Sequence, residues 1–259
     1  MRILSIDLDF ISAPAINDFW NSGMSQHEIE NHPVVKWKYI QSKMPEVFES
    51  ISQKIDVDNY DFCLRTFIRA LKNCKDVHFG YDHDAILYGL KDYTSIDVVN
   101  IDHHSDILTN GMETTEQEIK YVDEDERVAE GNWGYYLHSQ GRLNSWHWIL
   151  NLHSEEFTDT LLGDHLFGDK FSWSFREDYD FGNYEFDQIF VCLSPSYIPP
   201  LHWHMLGTFV RVYEELSGKK IEVDYLHRKY EMEKYYKGVT NIIYPEPTES
   251  ISIDANKLS

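Results

Sequence analysis

The sequence predicts a three-layer α/β/α fold around a mostly parallel central sheet, and three observations predict it. Short runs rich in Val, Ile and Phe recur along the chain, segments of helical periodicity lie among them, and each run passes directly into a polar cluster. Strands of a parallel sheet read as nearly continuous apolar runs because helices cover both faces. Ligands of such sheets bind beyond the carboxyl ends of the strands, where these clusters fall.

The first strand is expected from Arg2 to Ile6 and runs into Asp7-Leu8-Asp9. A helical stretch follows from Pro45, a residue suited to a first helical turn, with Val47, Phe48, Ile51 and Ile55. Phe62, Phe67, Ile68 and Leu71 continue at helix-like spacings. The second strand, Val77 to Gly80, ends in Tyr81-Asp82-His83-Asp84, and the third, Ile96 to Ile101, ends in Asp102-His103-His104-Ser105-Asp106. The polar, acidic stretch from Asn110 to Glu130 reads as a surface insertion bordering a site mouth. A strand from Gln188 to Leu193 precedes a helix from Leu206 to Leu216, which stops at Gly218 because glycine tolerates the left-handed position past a helix end. From Lys219 onward the chain reads as an added helix and a strap, so residues 1–259 are expected to form a single domain.

Composition narrows the partners. The chain carries 44 acidic against 23 basic side chains, a formal charge of -21, which repels nucleic acid and anionic membranes and attracts cationic ligands. No apolar run approaches the ~20 residues of a membrane span. Cys63, Cys74 and Cys192 are odd in number and lack metal-finger spacing, as expected in a reducing compartment. Together these features predict a soluble cytoplasmic protein.

Three clusters at strand ends carry the chemistry. In extended chain Asp102, His104 and Asp106 share one face, with His103 and Ser105 on the other. Pooled with Asp7, Asp9, His83 and the acids beside it, they place many like charges together, which costs several kcal/mol unless a divalent metal neutralises them. Hard oxygen ligands with imidazoles and no thiolate suit Mn²⁺, Fe²⁺ or Zn²⁺, and the carboxylate richness favours Mn²⁺.

The set resembles that of the arginase and agmatinase (ureohydrolase) superfamily, with its Gly-Gly-Asp-His, Asp-Ala-His-x-Asp and Asp-x-Asp clusters. Gly80-Tyr81-Asp82-His83 resembles the first, Asp102-His103-His104-Ser105-Asp106 the second and Asp7-Leu8-Asp9 the third. The Asp-x-Asp comes first in this chain, not last. That order resembles a circular permutation, as in the peptide arginases of ribosomal-peptide (RiPP) biosynthesis, which convert arginine side chains of a precursor peptide to ornithine. The resemblance implies a permuted arginase/deacetylase-like fold and two Mn²⁺ per chain. His83, Asp102, Asp106 and Asp7 would hold one ion and His104, Asp102, Asp7 and Asp9 the other, with Asp102 and Asp7 bridging. It also implies an arginine-containing precursor peptide as partner, with urea released.

Two departures bear on the chemistry. Where arginases carry Gly-Asn-Leu-His-Gly, with a proton-shuttling imidazole, this chain has Glu130-Gly131-Asn132-Trp133-Gly134. His138 and His147 are the nearest candidates for the proton donor, and Glu130 and Asn132 are candidate substrate contacts. Cys192-Leu193-Ser194-Pro195-Ser196 imitates a ureohydrolase ligand segment with serine at both ligand positions, so Ser194, Ser196 and Tyr197 are expected to line the pocket instead. Alternatives from the same residues are hydrolysis of free arginine or another small guanidine, a one-metal zinc deacetylase of acetyl-lysine or acetylpolyamine, and a non-catalytic binder of basic peptides. Asp106 favours two metals over one, since the deacetylase cluster lacks that acid.

Overall fold

The computed structural model describes residues 1–11, 37, 40–52, 55–107, 131–154 and 156–221. Glu130, the rest of the acidic stretch before it and the tail beyond Ile221 lie outside the described residues. Among the described residues six strands form one open, all-parallel sheet: β1 Arg2–Asp7, β2 Asp76–Gly80, β3 Ile96–Ile101, β4 Leu143–Leu150, β5 Phe171–Phe175 and β6 Gln188–Cys192. Their order across the sheet is β2-β6-β1-β3-β4-β5. The α-helices whose bounds lie within the described residues are α1 Pro45–Ser52, α2 Val57–Leu71, α3 Ile86–Leu90, α4 Trp133–Ser139, α5 Glu156–Phe167 and α6 His204–Ser217. No described helix is long and apolar enough to cross a membrane.

Alternation along each strand builds two cores. One face presents Leu4, Ile6, Val99, Ile101, Ile149, Ile189, Val191 and Leu193 to α1, α2 and α6. The opposite face presents Ile3, Val98, Trp146, Trp148, Leu150 and Phe190 to α3, α4 and the end of α5. Each such side chain, fully buried, contributes roughly 1.5–3 kcal/mol. Local signals agree with this packing. The Asp56 carboxylate accepts the Asn59 backbone N–H at 2.9 Å and caps α2, whose Cys63, Phe67 and Ala70 recur on the buried side. Gly218, at φ 68°, ends α6 as expected.

β4 and β5 are additions to the strands expected from the sequence. In β4 the apolar Trp146, Trp148 and Leu150 alternate with Ser145, His147 and Ile149, and the polar members break up the apolar run that marks the other central strands. β5 is only five residues long, with serines between its aromatics.

Register determines what meets at the carboxyl edge. β1 pairs with β3 so that Ser5 lies beside Asn100; one step further on that face, Asp7 and Asp102 emerge as neighbours. β6 sets Cys192 beside Asp7 on one side and beside Gly80 on the other, bringing the end of β2 to the same edge.

Candidate metal centre

Two groups of ligand-type atoms converge at this edge. Asp7, His83 and Asp102 form one, Asp9, Asp102 and His104 the other, each with its ligand atoms within 4.8 Å of one another. Asp102 belongs to both. His83 Nδ1 lies 2.6 Å from Asp106 Oδ2, 3.1 Å from Asp7 Oδ2 and 3.2 Å from Asp102 Oδ2. It nevertheless hydrogen-bonds to none of them. His83 Nε2 is engaged by Ser5 Oγ at 2.6 Å. In the tautomer that donates Nε2–H to the serine, Nδ1 turns a lone pair toward three carboxylates, an arrangement that a proton or a metal cation between them relieves. On the other side, His104 Nδ1 lies 2.8 Å from Asp9 Oδ2, and the His104 backbone N–H donates to Asp102 Oδ1 at 2.9 Å. This buried Asp/His cluster can hold a metal ion.

The fold fixes each ligand through its neighbours. Gly80 leaves room for Phe190, since a Cβ there would lie 2.7 Å from the Phe190 ring, and that ring stacks on His83 at 6.0 Å. The Trp133 indole, tilted against His83 at 5.1 Å between ring centroids, donates its N–H to Asp106 Oδ2 at 2.7 Å. Asp106 adopts φ 56°, a left-handed conformation that costs a non-glycine residue on the order of 1–3 kcal/mol. β3 ends at Ile101, so Asp106 reaches His83 through this turn and not through the strand alternation expected. Ser194, at φ 46°, donates its hydroxyl to Asp7 Oδ2, and Asn100 Nδ2 donates to Asp102 Oδ2 at 3.1 Å.

Burial sets the electrostatics. Desolvation, then the charge of Asp102, pushes Asp9 up to about 6. Desolvation, then Asp106 and Asp7, pushes Asp102 up to about 7. Asp7 is raised for the same first reason, with Asp9 adding to it. Burial works against the protonated imidazoles, but the carboxylates outweigh it: Asp106 leads in holding His83 well above its usual value, and Asp9 leads in raising His104 to about 10. Without a metal, the cluster therefore binds protons where cations would sit.

The remaining candidates occupy distinct places. Ser194 contacts a ligand carboxylate, Asp7. The Tyr197 ring lies 4.8 Å from the His104 ring, and Ser196 is half-buried one residue before it. Asn132 is buried where the chain enters α4. His138 and His147 are not brought into the cluster. His138 stacks on Phe167 at 4.6 Å, where burial, with Lys170, lowers its pKa. His147 reaches Ser172 and Ser174 on β5 and stacks on Tyr179, with burial lowering its pKa to about 4. Position 134 has no space for an imidazole either: a Cβ on Gly134 would fall 2.6 Å from Trp146 and 2.9 Å from the Asp106 carbonyl oxygen. His103 belongs to neither cation group; burial and neighbouring His104 hold it neutral, and it lies 3.5 Å from Asn151 Nδ2.

The supporting residues Ser5 and Asn100 escaped the sequence reading, although each stands two positions before a ligand on an apolar strand, the spacing of a shared face. Trp133 likewise serves the cluster directly, through its indole N–H to Asp106. No family model matches this chain, and neither a curated protein nor a solved structure does.

Proposed function

We propose that the chain is a manganese-dependent amidinohydrolase that converts arginine side chains of a precursor peptide to ornithine with release of urea. The observation that carries the proposal is the pair of ligand groups sharing Asp102. Asp7, His83, Asp102 and Asp106 would hold one Mn²⁺, and Asp9, Asp102 and His104, with Asp7 as a shared carboxylate, the second. Bound divalent ions supply Lewis acidity and lower the pKa of water near them.

The chain's own residues supply the rest. The acidic edge attracts the guanidinium cation, and the Tyr197 ring beside His104 offers it an aromatic face. Water adds to the guanidinium carbon, the bond from that carbon to the side-chain Nε breaks, and the departing nitrogen takes a proton to leave as the ornithine amine. The proton given up by the attacking water balances the one the departing nitrogen takes, and Asp9 and Asp102, as ligands, stay ionised throughout.

The test is incubation of the Mn²⁺-loaded protein with an arginine-containing peptide, free arginine, agmatine and an acetyl-lysine peptide. Urea is assayed alongside mass spectrometry of the peptides. Urea from the peptide at a higher kcat/KM than from the free guanidines is expected. Acetate from acetyl-lysine, or no urea from any guanidine, overturns the proposal.

A further inference from the structure

We infer that the two cation positions load in order, the His83 position first, because Trp133 and Ser5 hold its own ligands, Asp106 and His83, in place before an ion arrives. The inference rests on the two-cation reading above and concerns how the protein's residues create two unequal positions.

On the His83 side every ligand is enclosed, with side-chain exposures of 1% for His83 and Asp102, 4% for Asp7 and 5% for Asp106. Each has a fixed partner outside the cluster. Ser5 holds the far nitrogen of His83, Ser194 holds Asp7, Trp133 holds Asp106 and Asn100 holds Asp102. Two of these attachments involve left-handed backbone at Asp106 and Ser194, a conformation the surrounding fold must maintain. An ion entering here finds its ligands oriented and loses little further conformational freedom.

The His104 side differs. Its imidazole is 27% exposed and lies against Tyr197, on the loop that follows β6. That loop is tied to the rest of the fold by the Trp37 indole N–H, which donates to the Pro195 carbonyl at 2.7 Å. Its carboxylates Asp9 and Asp102 are each 1% exposed, so the opening to solvent at this position lies at His104. Closed positions retain metal and open positions meet substrate, so the His83 position is the anchoring one and the His104 position the exchanging one.

Calorimetric titration of the metal-free full chain with MnCl₂ tests this, with Trp133→Phe and Ser5→Ala as variants. Phenylalanine keeps an aromatic ring without the N–H, and alanine removes the Ser5 hydroxyl that engages His83 Nε2. Circular dichroism and thermal melting of the metal-free proteins verify folding. Wild type is expected to show a tight and a weak class, and either variant to weaken the tight class roughly 10–100-fold while moving the weak class far less. Tyr197→Ala should do the reverse. Equal losses in both classes, or none in either, overturns the inference, as does a wild type whose two ions bind indistinguishably. A wild type that takes up no Mn²⁺ overturns the two-cation reading with it, whereas ordered uptake without urea release sinks only the proposed hydrolase.

Discussion

The two faces of the sheet treat the carboxyl edge in opposite ways. On the face covered by α1, α2 and α6, strands stay apolar to their ends, through Leu4 and Ile6, Val99 and Ile101, and Val191 and Leu193. On the other face the same strands turn polar halfway, through Ile3, Ser5 and Asp7, and through Val98, Asn100 and Asp102. The first arrangement gains stability from every residue, while the second buries carboxylates that raise one another's pKa. A strand of period two can thus serve folding on one side and ligand binding on the other, provided something offsets the charge.

The sharpest way to break this comparison is to exchange what the faces do. Asp102→Asn should abolish uptake at both cation positions and reduce any urea release to background, as metal titration and product assay would register. The metal-free variant should melt no lower than wild type, because it deletes a buried charge from among like charges. A marked loss of metal-free stability would mean that the carboxylate is structural. Phe209→Ala on the other face should do the converse. It is expected to cost about 3–5 kcal/mol in denaturant unfolding while leaving metal stoichiometry unchanged.

A smaller effect comes from pH. Asp9 and Asp102, at about 6 and about 7, must lose protons to bind metal, and His83 and His104 must lose theirs as well. Protons therefore compete with the cation, and affinity falls as pH falls. Between pH 7 and 6 the weakening should be at least about tenfold, with proton release detectable from the buffer dependence of the binding enthalpy. A pH-independent affinity would place the ion elsewhere. The smallest change is expected at Asn100→Ala, which removes one donor to Asp102 and should weaken metal binding about tenfold with the fold intact. No change there would mean that the register-paired polar row of Ser5 and Asn100 supports the strands alone.

By itself the sequence determined the layered α/β class, the central strands β1, β3 and β6, the α6 stop at Gly218 and the ligand-type residues of the cluster. These are local matters: apolar runs, a glycine that accepts positive φ, and Asp and His at short spacing. β4 and β5 were less legible because their serines, asparagine and histidine interrupt the apolar signal, which pairing with β3 then overrides. Only the tertiary structure decided which residues complete the centre. Trp133 reaches Asp106 from α4, and Ser194 reaches Asp7 from the loop after β6, 187 positions along the chain. The left-handed turn at Asp106, not strand alternation, aims its carboxylate at His83. Such contacts depend on strand order and register, which bring distant segments within hydrogen-bonding reach, and a linear pattern does not encode that distance.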